Sequence, residues 1–406
     1  MDRRSFVKTG LAATTGFVAL GPTVWRAWAS HPAPMVAPEG RYGPPSSADE
    51  HGLRLPAGFS SREIARANEP VLPRGTPWHR RPDGGAVFPT PDGGWIYTSN
   101  SEVGNEGGGA GAVRFGPDGT ILDAYLILSG TTLNCAGGAT PWGTWLSCEE
   151  TVGGIVWECD PFGVAPARRR LGLGTFKHEA AVVDPQSGYV YLTEDQTDGC
   201  LYRFRPAEPL PSPLSDLPGI ELLDDGTLEV ARVSPGGTVT WIEVPNPFVI
   251  VVNGNEITTP TRRQVAGARV FRRGEGAWFD TAARIVFFCT TGDETVWALH
   301  VDTDHLEPMF ESDGSLLNGA DNISVAASGD IFICEDHGPS SGPLQLVMID
   351  RSDLTVSPFL EAVGSTHEGS ELTGVAFDPS GTRMYLSSQR GYGEGATYEV
   401  SGPFRP

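Results

Sequence analysis

Six times along the chain the same polarity pattern returns: a short apolar stretch, a turn rich in Gly, Pro or Asp, a second apolar stretch, and a polar end. The copies begin at Gly84, Asn134, His178, Gly274, Asp321 and Ser370 and read GGAVFPTPDGGWIYTSNSE, NCAGGATPWGTWLSCEE, HEAAVVDPQSGYVYLTED, GEGAWFDTAARIVFFCTTGD, DNISVAASGDIFICED and SELTGVAFDPSGTRMYLSSQR. Each copy predicts a β-hairpin, in which the start of the first strand lies beside the end of the second. The polar ends of all six would then meet on one rim. A repeat of several strands buries its faces only against neighbouring copies, so the pattern predicts an all-β, six-bladed β-propeller.

The hairpins supply two strands of each blade, and the intervening segments supply the outer ones: 111–128, 154–160, 199–205, 295–302, 344–350 and 396–401. A longer stretch, from about Ala207 to Arg263, separates copies three and four and reads as a β-rich insert on one face, not a separate domain. High counts of Gly (52) and Pro (34) fit many short strands joined by tight turns.

The N-terminus carries a different signal. Arg3-Arg4-Ser5-Phe6 is a twin-arginine pattern, the apolar run from Leu11 to Leu20 is too short to remain as a membrane span, and Ala27-Trp28-Ala29 offers a cleavage site. Residues 1–29 are therefore expected to be a signal peptide recognised by the twin-arginine export machinery, 30–47 a Pro- and Ala-rich linker, and 48–406 a single propeller domain in the periplasm or outside the cell. The formal net charge of −21 argues against a nucleic-acid partner. It favours solubility and, where acids cluster, cation binding.

Candidate chemistry gathers at the expected rim. First strands begin with His178-Glu179, Glu275, Asp321-Asn322 and Glu371. Second strands end with Asn100 and Glu102, Cys148-Glu149-Glu150, Glu194-Asp195, Asp293, Glu335-Asp336 and Gln389-Arg390. Carboxylates packed this closely repel unless multivalent cations neutralise them. Oxygen donors suit Ca2+, and a thiolate among carboxylates invites a transition metal such as iron. Cys148 is the expected thiolate, because it ends a strand and precedes two glutamates, whereas Cys289 and Cys334 lie inside apolar strands. Arg272 and Arg273 stand just ahead of Glu275, and Arg273 shares a strand face with it. Arg273 and Arg390 are thus candidate holders of phosphate oxygens. No G-x-S-x-G elbow occurs, so a metal-bound oxide, hydroxide or water is the expected nucleophile, not a serine.

Several of these stretches resemble the PhoX family of exported alkaline phosphatases. They are TPWGTWLSCEE (140–150), FKHE (176–179) with YLTED (191–195), RRGE (272–275), Asp321-Asn322 with Cys334-Glu335-Asp336, and ELTG (371–374) with Gln389, in family order across nearly the whole mature chain. The chain is similar to a short member of that family. The resemblance implies a six-bladed propeller with iron and calcium in its central channel, the iron as an oxide-bridged Fe3+ pair held partly by a cysteine. It places Cys148 at that cysteine, Glu179, Glu275 and Asp336 at acidic ligand positions, and Arg273 at a phosphate contact.

Together these readings predict an exported, metal-dependent phosphomonoesterase acting on small phosphate esters. Cys148, Glu149, Glu179, Glu194, Glu275, Asp321, Asn322, Glu335, Asp336 and Glu371 are its expected metal ligands. Cys148, Arg273 and Glu275 are the expected catalytic set, and Arg273 and Arg390 the substrate contacts. Two other classes fit the repeat: a calcium-dependent lactonase-type hydrolase, and a non-catalytic propeller in which Ca2+ only ties the blades together.

Overall fold

The computed structural model of the chain describes residues 34–208, 222–337 and 342–405, and these form six blade sheets of antiparallel neighbours and one small hairpin, with only short 3-10 turns as helical structure. The expected signal, residues 1–29, lies outside the described residues. Blade one is built from Pro82–Pro89, Trp95–Ser101, Gly108–Phe115 and Ile121–Thr131; blade two from Asn134–Ala139, Trp145–Glu149, Val156–Cys159 and Arg168–Arg169. Blade three takes His178–Val183, Val190–Glu194, Leu201–Pro206, Gly226–Val233 and Val239–Glu243; blade four Gly274–Asp280, Ile285–Thr290, Thr295–His300 and His305–Glu311. Blade five takes Ala320–Val325, Ile331–Glu335, Leu344–Ile349 and Thr355–Ala362; blade six Leu372–Phe377, Arg383–Ser388 and Ala396–Ser401. The first strand of each blade packs against the first strand of the next, and that of blade six against that of blade one, so the array is a closed ring around a central channel. Each innermost strand is buried nearly end to end, as expected for strands covered on both faces.

The ring closes through a pairing that the repeat did not disclose. Ser60–Arg66, from before copy one, adds to Ala396–Ser401 as the fourth strand of blade six. Further upstream, Met35–Val36 pairs in parallel with Thr355 and Val356 at the edge of blade five. The stretch between copies three and four is only partly an insert. It supplies the two outer strands of blade three, a two-stranded hairpin (Val251–Val252 with Asn255–Glu256), and a 3-10 turn, Thr261–Arg263. That turn is fastened to blade three by Arg262, which reaches Glu194, Asp198 and Glu256. Among the described residues no helix is long and apolar enough to cross a membrane.

Every blade breaks its inner ladder once. The register shifts between Pro82 and Gly85, Asn134 and Gly137, His178 and Ala181, Gly274 and Ala277, and Ala320 and Ile323; in blade six the shift falls between Thr373 and Ala376. Such bulges bend the strand and re-aim the side chains they carry. They also bring neighbouring strands very close. A Cβ on Gly138 in blade two would stand 2.0 Å from the carbonyl oxygen of Ala181 in blade three. Gly138→Ala is therefore expected to lower stability by about 1–3 kcal/mol, the usual cost of overpacking. Thermal unfolding reads this directly, and an unchanged Tm would contradict so tight a contact.

Candidate active site

The bulges place one side chain from each of five blades in the channel: Asp83, Cys135, Glu179, Glu275 and Asp321, each the second residue of its innermost strand. The residues just past the second strands join them: Glu102, Glu150, Asp195, Thr291 and Gln389. Thr291 Oγ1 donates to Glu275 Oε1 at 2.6 Å. Gln389 Nε2 donates to Asp83 at 2.6 Å and to Glu102 at 2.9 Å. Neighbouring blades clamp the bulges. Asn100 Nδ2 donates to the carbonyls of Cys135 and Ala136, Thr193 Oγ1 to that of Glu275, Thr373 Oγ1 to that of Pro82, and Asn322 Oδ1 accepts from the N–H of Gly374.

Among the described residues three groups of metal-ligating atoms result, each within 4.8 Å: Cys135, Glu150 and Glu179; Glu179, Glu275 and Asp321; and Asp83, Glu102 and Glu371. Glu179 belongs to two of them. It is completely buried, and among the described residues neither of its carboxylate oxygens has a hydrogen-bond partner. A buried carboxylate without partners is costly unless a cation or a proton compensates it. The donor set therefore fits metal ions: oxygen alone in the Asp83 group, oxygen with a thiol in the Cys135 group. Without cations the acids lean toward their protonated forms. Burial, then Glu150, Glu275 and Asp321, push Glu179 well above the usual carboxylate range. Burial and Asp195 push Glu275 up to about 8; burial and Glu102 push Asp83 up to about 7.

Cations line the mouth. Lys177 Nζ lies 2.6 Å from Glu150 and 2.7 Å from Asp195. Arg273 Nε donates to Asp195 at 2.9 Å, and its NH2 group stands 3.2 Å from Glu275. Burial pushes Asp195 upward, but hydrogen bonds from Glu150, Arg273 and Lys177 prevail and hold it at about 2. Burial and Asp195 push its neighbour Glu150 the other way, well above the usual carboxylate range, against the pull of Lys177. Arg390 pairs with Glu371 at 3.1 Å. The residues that follow these acids along the inner strands line a cavity of about 170 Å³ with Gly, Ala and apolar walls, among them Gly84, Ala136, Gly276 and Val375.

Several expected site residues stand elsewhere. Cys148 is fully buried among Leu146, Val156, Phe176, Leu192 and Tyr202, in the apolar core where blades two and three meet, and is not part of any of the three ligand groups. The thiol in the channel is Cys135, and its Sγ also lies 3.6 Å from Asp83 Oδ2. Glu149, Glu194 and Glu335 face away from the channel and bond strand-connecting backbone: Glu149 accepts from Thr132 and Ile155, Glu194 from Cys200 and the Tyr202 hydroxyl, Glu335 from Asn318 and Gln345. Strand alternation is the reason, since adjacent residues point to opposite sides; their successors Glu150 and Asp195 turn inward. Asn322 serves as a clamp. Asp293 is exposed, with Thr291 at the inward position instead. His178 is buried against Phe176, with its ring centroid 3.7 Å away, and is bonded to the carbonyl of Gly174. Glu179, Glu275, Asp321 and Glu371 do converge, as expected. Reading the copies missed Asp83, Cys135 and Lys177. The signal was there: Asp83, Cys135, Glu179, Glu275 and Asp321 fall in one register once copy one starts at Pro82 and copy five at Ala320.

A family model described as "Alkaline phosphatase PhoX" matches residues 93–158 and 153–305, more than half of the chain. The chain belongs to the PhoX family. This PhoX-family chain is accordingly a phosphatase of the alkaline phosphatase type. Among solved structures it is similar to Pseudomonas fluorescens PhoX in complex with vanadate, a transition-state analogue, with a TM-score of 0.72 at 16% identity over 91% of this chain and 98% of that one. That likeness shows the six-bladed fold. A Bacteroides thetaiotaomicron protein of unknown function follows at a TM-score of 0.50 and 9% identity, covering 84% of this chain and 76% of that one. A Xanthomonas campestris gluconolactonase reaches 0.47 at 14% identity, over 90% and 99%. No curated protein sequence matches.

Proposed function

We propose that the chain is an exported, metal-dependent phosphomonoesterase that takes small phosphate esters at the acidic mouth of its channel. The observation that carries this reading is Glu179, a buried carboxylate with both oxygens unpartnered among the described residues, shared by a thiol-containing and an all-carboxylate ligand group. Cys135, Glu150 and Glu179 would hold iron, for which the thiolate is the discriminating donor. Asp83, Glu102 and Glu371 would hold Ca2+, and Glu179, Glu275 and Asp321 would hold the ion between. Bound there, the ions supply Lewis-acid polarisation of the phosphoryl group and neutralise its charge.

The protein's own groups do the positioning. Arg273 is half-exposed and held by Asp195 and Glu275, so its guanidinium is oriented before an ester arrives and can present two parallel N–H donors to phosphate oxygens. Lys177 stays protonated: burial works against its charge, but Glu150 and Asp195 hold its pKa above the ordinary lysine value. It is a fixed positive charge beside the transferring group, not a base. Arg390 brings a third cation from blade six. The cysteine and the arginine also separate this reading from a lactonase-type or purely structural calcium propeller, neither of which needs them. Export through the twin-arginine route follows from residues 1–29, which suits a protein that leaves the cytoplasm folded around its metals.

The test is the metal content of protein purified after native export, together with hydrolysis of a chromogenic phosphomonoester before and after EGTA. Iron with several calcium ions, and activity that EGTA abolishes and Ca2+ restores, are the expected results. Calcium without iron, or no hydrolysis by the metal-replete protein, would sink the proposal.

A further inference from the structure

Six backbone hydrogen bonds mark one equivalent position around the ring. The N–H just past each second strand donates to the carbonyl of a residue that enters the first: Glu102 to Arg81, Glu150 to Leu133, Asp195 to Lys177, Thr291 to Arg273, Asp336 to Gly319 and Gln389 to Glu371. This position stands two residues ahead of the channel side chain in blades one to five, at the entry to each innermost strand. It carries a cation in blades one, three and four. Arg81 and Arg273 share even their backbone, with φ of 47° and 54°, as do Leu133 and Gly319 at 51° and 66°.

The cations differ in what they hold. Lys177 is occupied by Glu150 and Asp195, Arg273 by Asp195 and Glu275, and Arg390 by Glu371. The guanidinium of Arg81 makes no ion pair or hydrogen bond among the described residues, although it is close enough to Glu102 to favour that carboxylate's charged form. Blades one and four are three apart in a ring of six, so Arg81 and Arg273 stand on opposite sides of the mouth. We propose that Arg81 is a second substrate-positioning arginine, which grips the phosphate of the ester from the side opposite Arg273. The inference rests on the phosphatase reading and adds a residue that the motifs did not single out. A dianionic tetrahedral group offers oxygens to both sides, and two guanidinium forks fix its orientation better than one.

The experiment compares metal-loaded wild type, R81Q, R81K and R273Q for steady-state hydrolysis of a chromogenic phosphomonoester and for competitive inhibition by inorganic phosphate. Tm and bound metal are measured on the same samples. Losing one charge-assisted contact is expected to raise KM and the phosphate inhibition constant about tenfold or more in R81Q and in R273Q. R81K should recover part of the affinity, and Tm and metal content should stay at wild-type values. An inhibition constant in R81Q equal to that of wild type overturns the inference alone, since wild-type turnover still supports the phosphatase reading. A rise that tracks loss of calcium overturns it too, by making Arg81 a support of the metal centre. A wild type that neither turns over the ester nor binds phosphate overturns both.

Discussion

Cys135→Ser is expected to strip the protein of its iron and lower kcat/KM for a phosphomonoester by more than about 100-fold, while Cys148→Ala keeps both. Replacing even outer partners of metal ligands typically costs about 10–100-fold, so loss of a direct thiolate should cost more. The contrast between the two cysteines is the informative part. Cys135 sits on the bulge of blade two, its backbone carbonyl held by Asn100 and its sulfur grouped with Glu150 and Glu179. A serine oxygen there is a poor substitute for a soft, charged donor. Cys148 is one strand further out, fully buried in apolar surroundings. Its replacement by alanine removes a small buried group and should cost about 1–2 kcal/mol of stability without touching the metals. Metal analysis and steady-state kinetics on both variants decide it. Iron retained by Cys135→Ser, or lost on Cys148→Ala, would reverse the assignment.

Removing the metals is expected to make stability fall steeply with rising pH. Burial, then nearby acids, raise Asp83 to about 7 and Glu275 to about 8, and drive Glu150, Glu179, Asp321 and Glu371 upward as well. A carboxylate whose pKa is higher in the folded than in the unfolded chain binds its proton more tightly when folded. Its contribution is fully present below the unfolded value near 4 and is lost as pH rises through the folded value. The EGTA-treated protein should therefore lose at least about 5 °C in Tm between pH 5 and pH 9, falling most steeply between the unfolded values near 4 and the folded values and less steeply once Asp83 and Glu275 have lost their protons. Metal-replete protein should not follow this trend, because the cations replace the protons. Thermal unfolding at pH 5, 7 and 9 with and without EGTA measures it; a metal-free Tm that is flat or rises with pH would falsify the account. The two variants and the pH series probe one centre from different sides. The thiol selects the ion, and the crowded acids require one.

The central acids were legible because each lies where an apolar strand begins. Glu179, Glu275, Asp321 and Glu371 stand at hairpin starts, and the repeat brings such starts together whatever the details of the strands. The errors come from reading register in strands only five to eight residues long. Beginning copy one at Gly84 instead of Pro82 hid Asp83. Taking the last residues of Trp145–Glu149 and Val190–Glu194 as ligands selected Glu149 and Glu194, whose neighbours Glu150 and Asp195 face the channel. With a period of two, a slip of one residue exchanges channel for backbone.

By itself, then, the order of apolar, turn and polar residues determined six hairpins and therefore the ring, since such units bury their faces only against one another. It also determined that acids and arginines crowd one end of the channel. Tertiary structure alone decided which thiol joins them. It decided too that Ser60–Arg66 closes blade six, and that Arg81 stands across the mouth from Arg273. The reason is physical. A bulge is a property of hydrogen bonding between two strands, and facing is a property of a closed ring, so neither exists until the chain has folded.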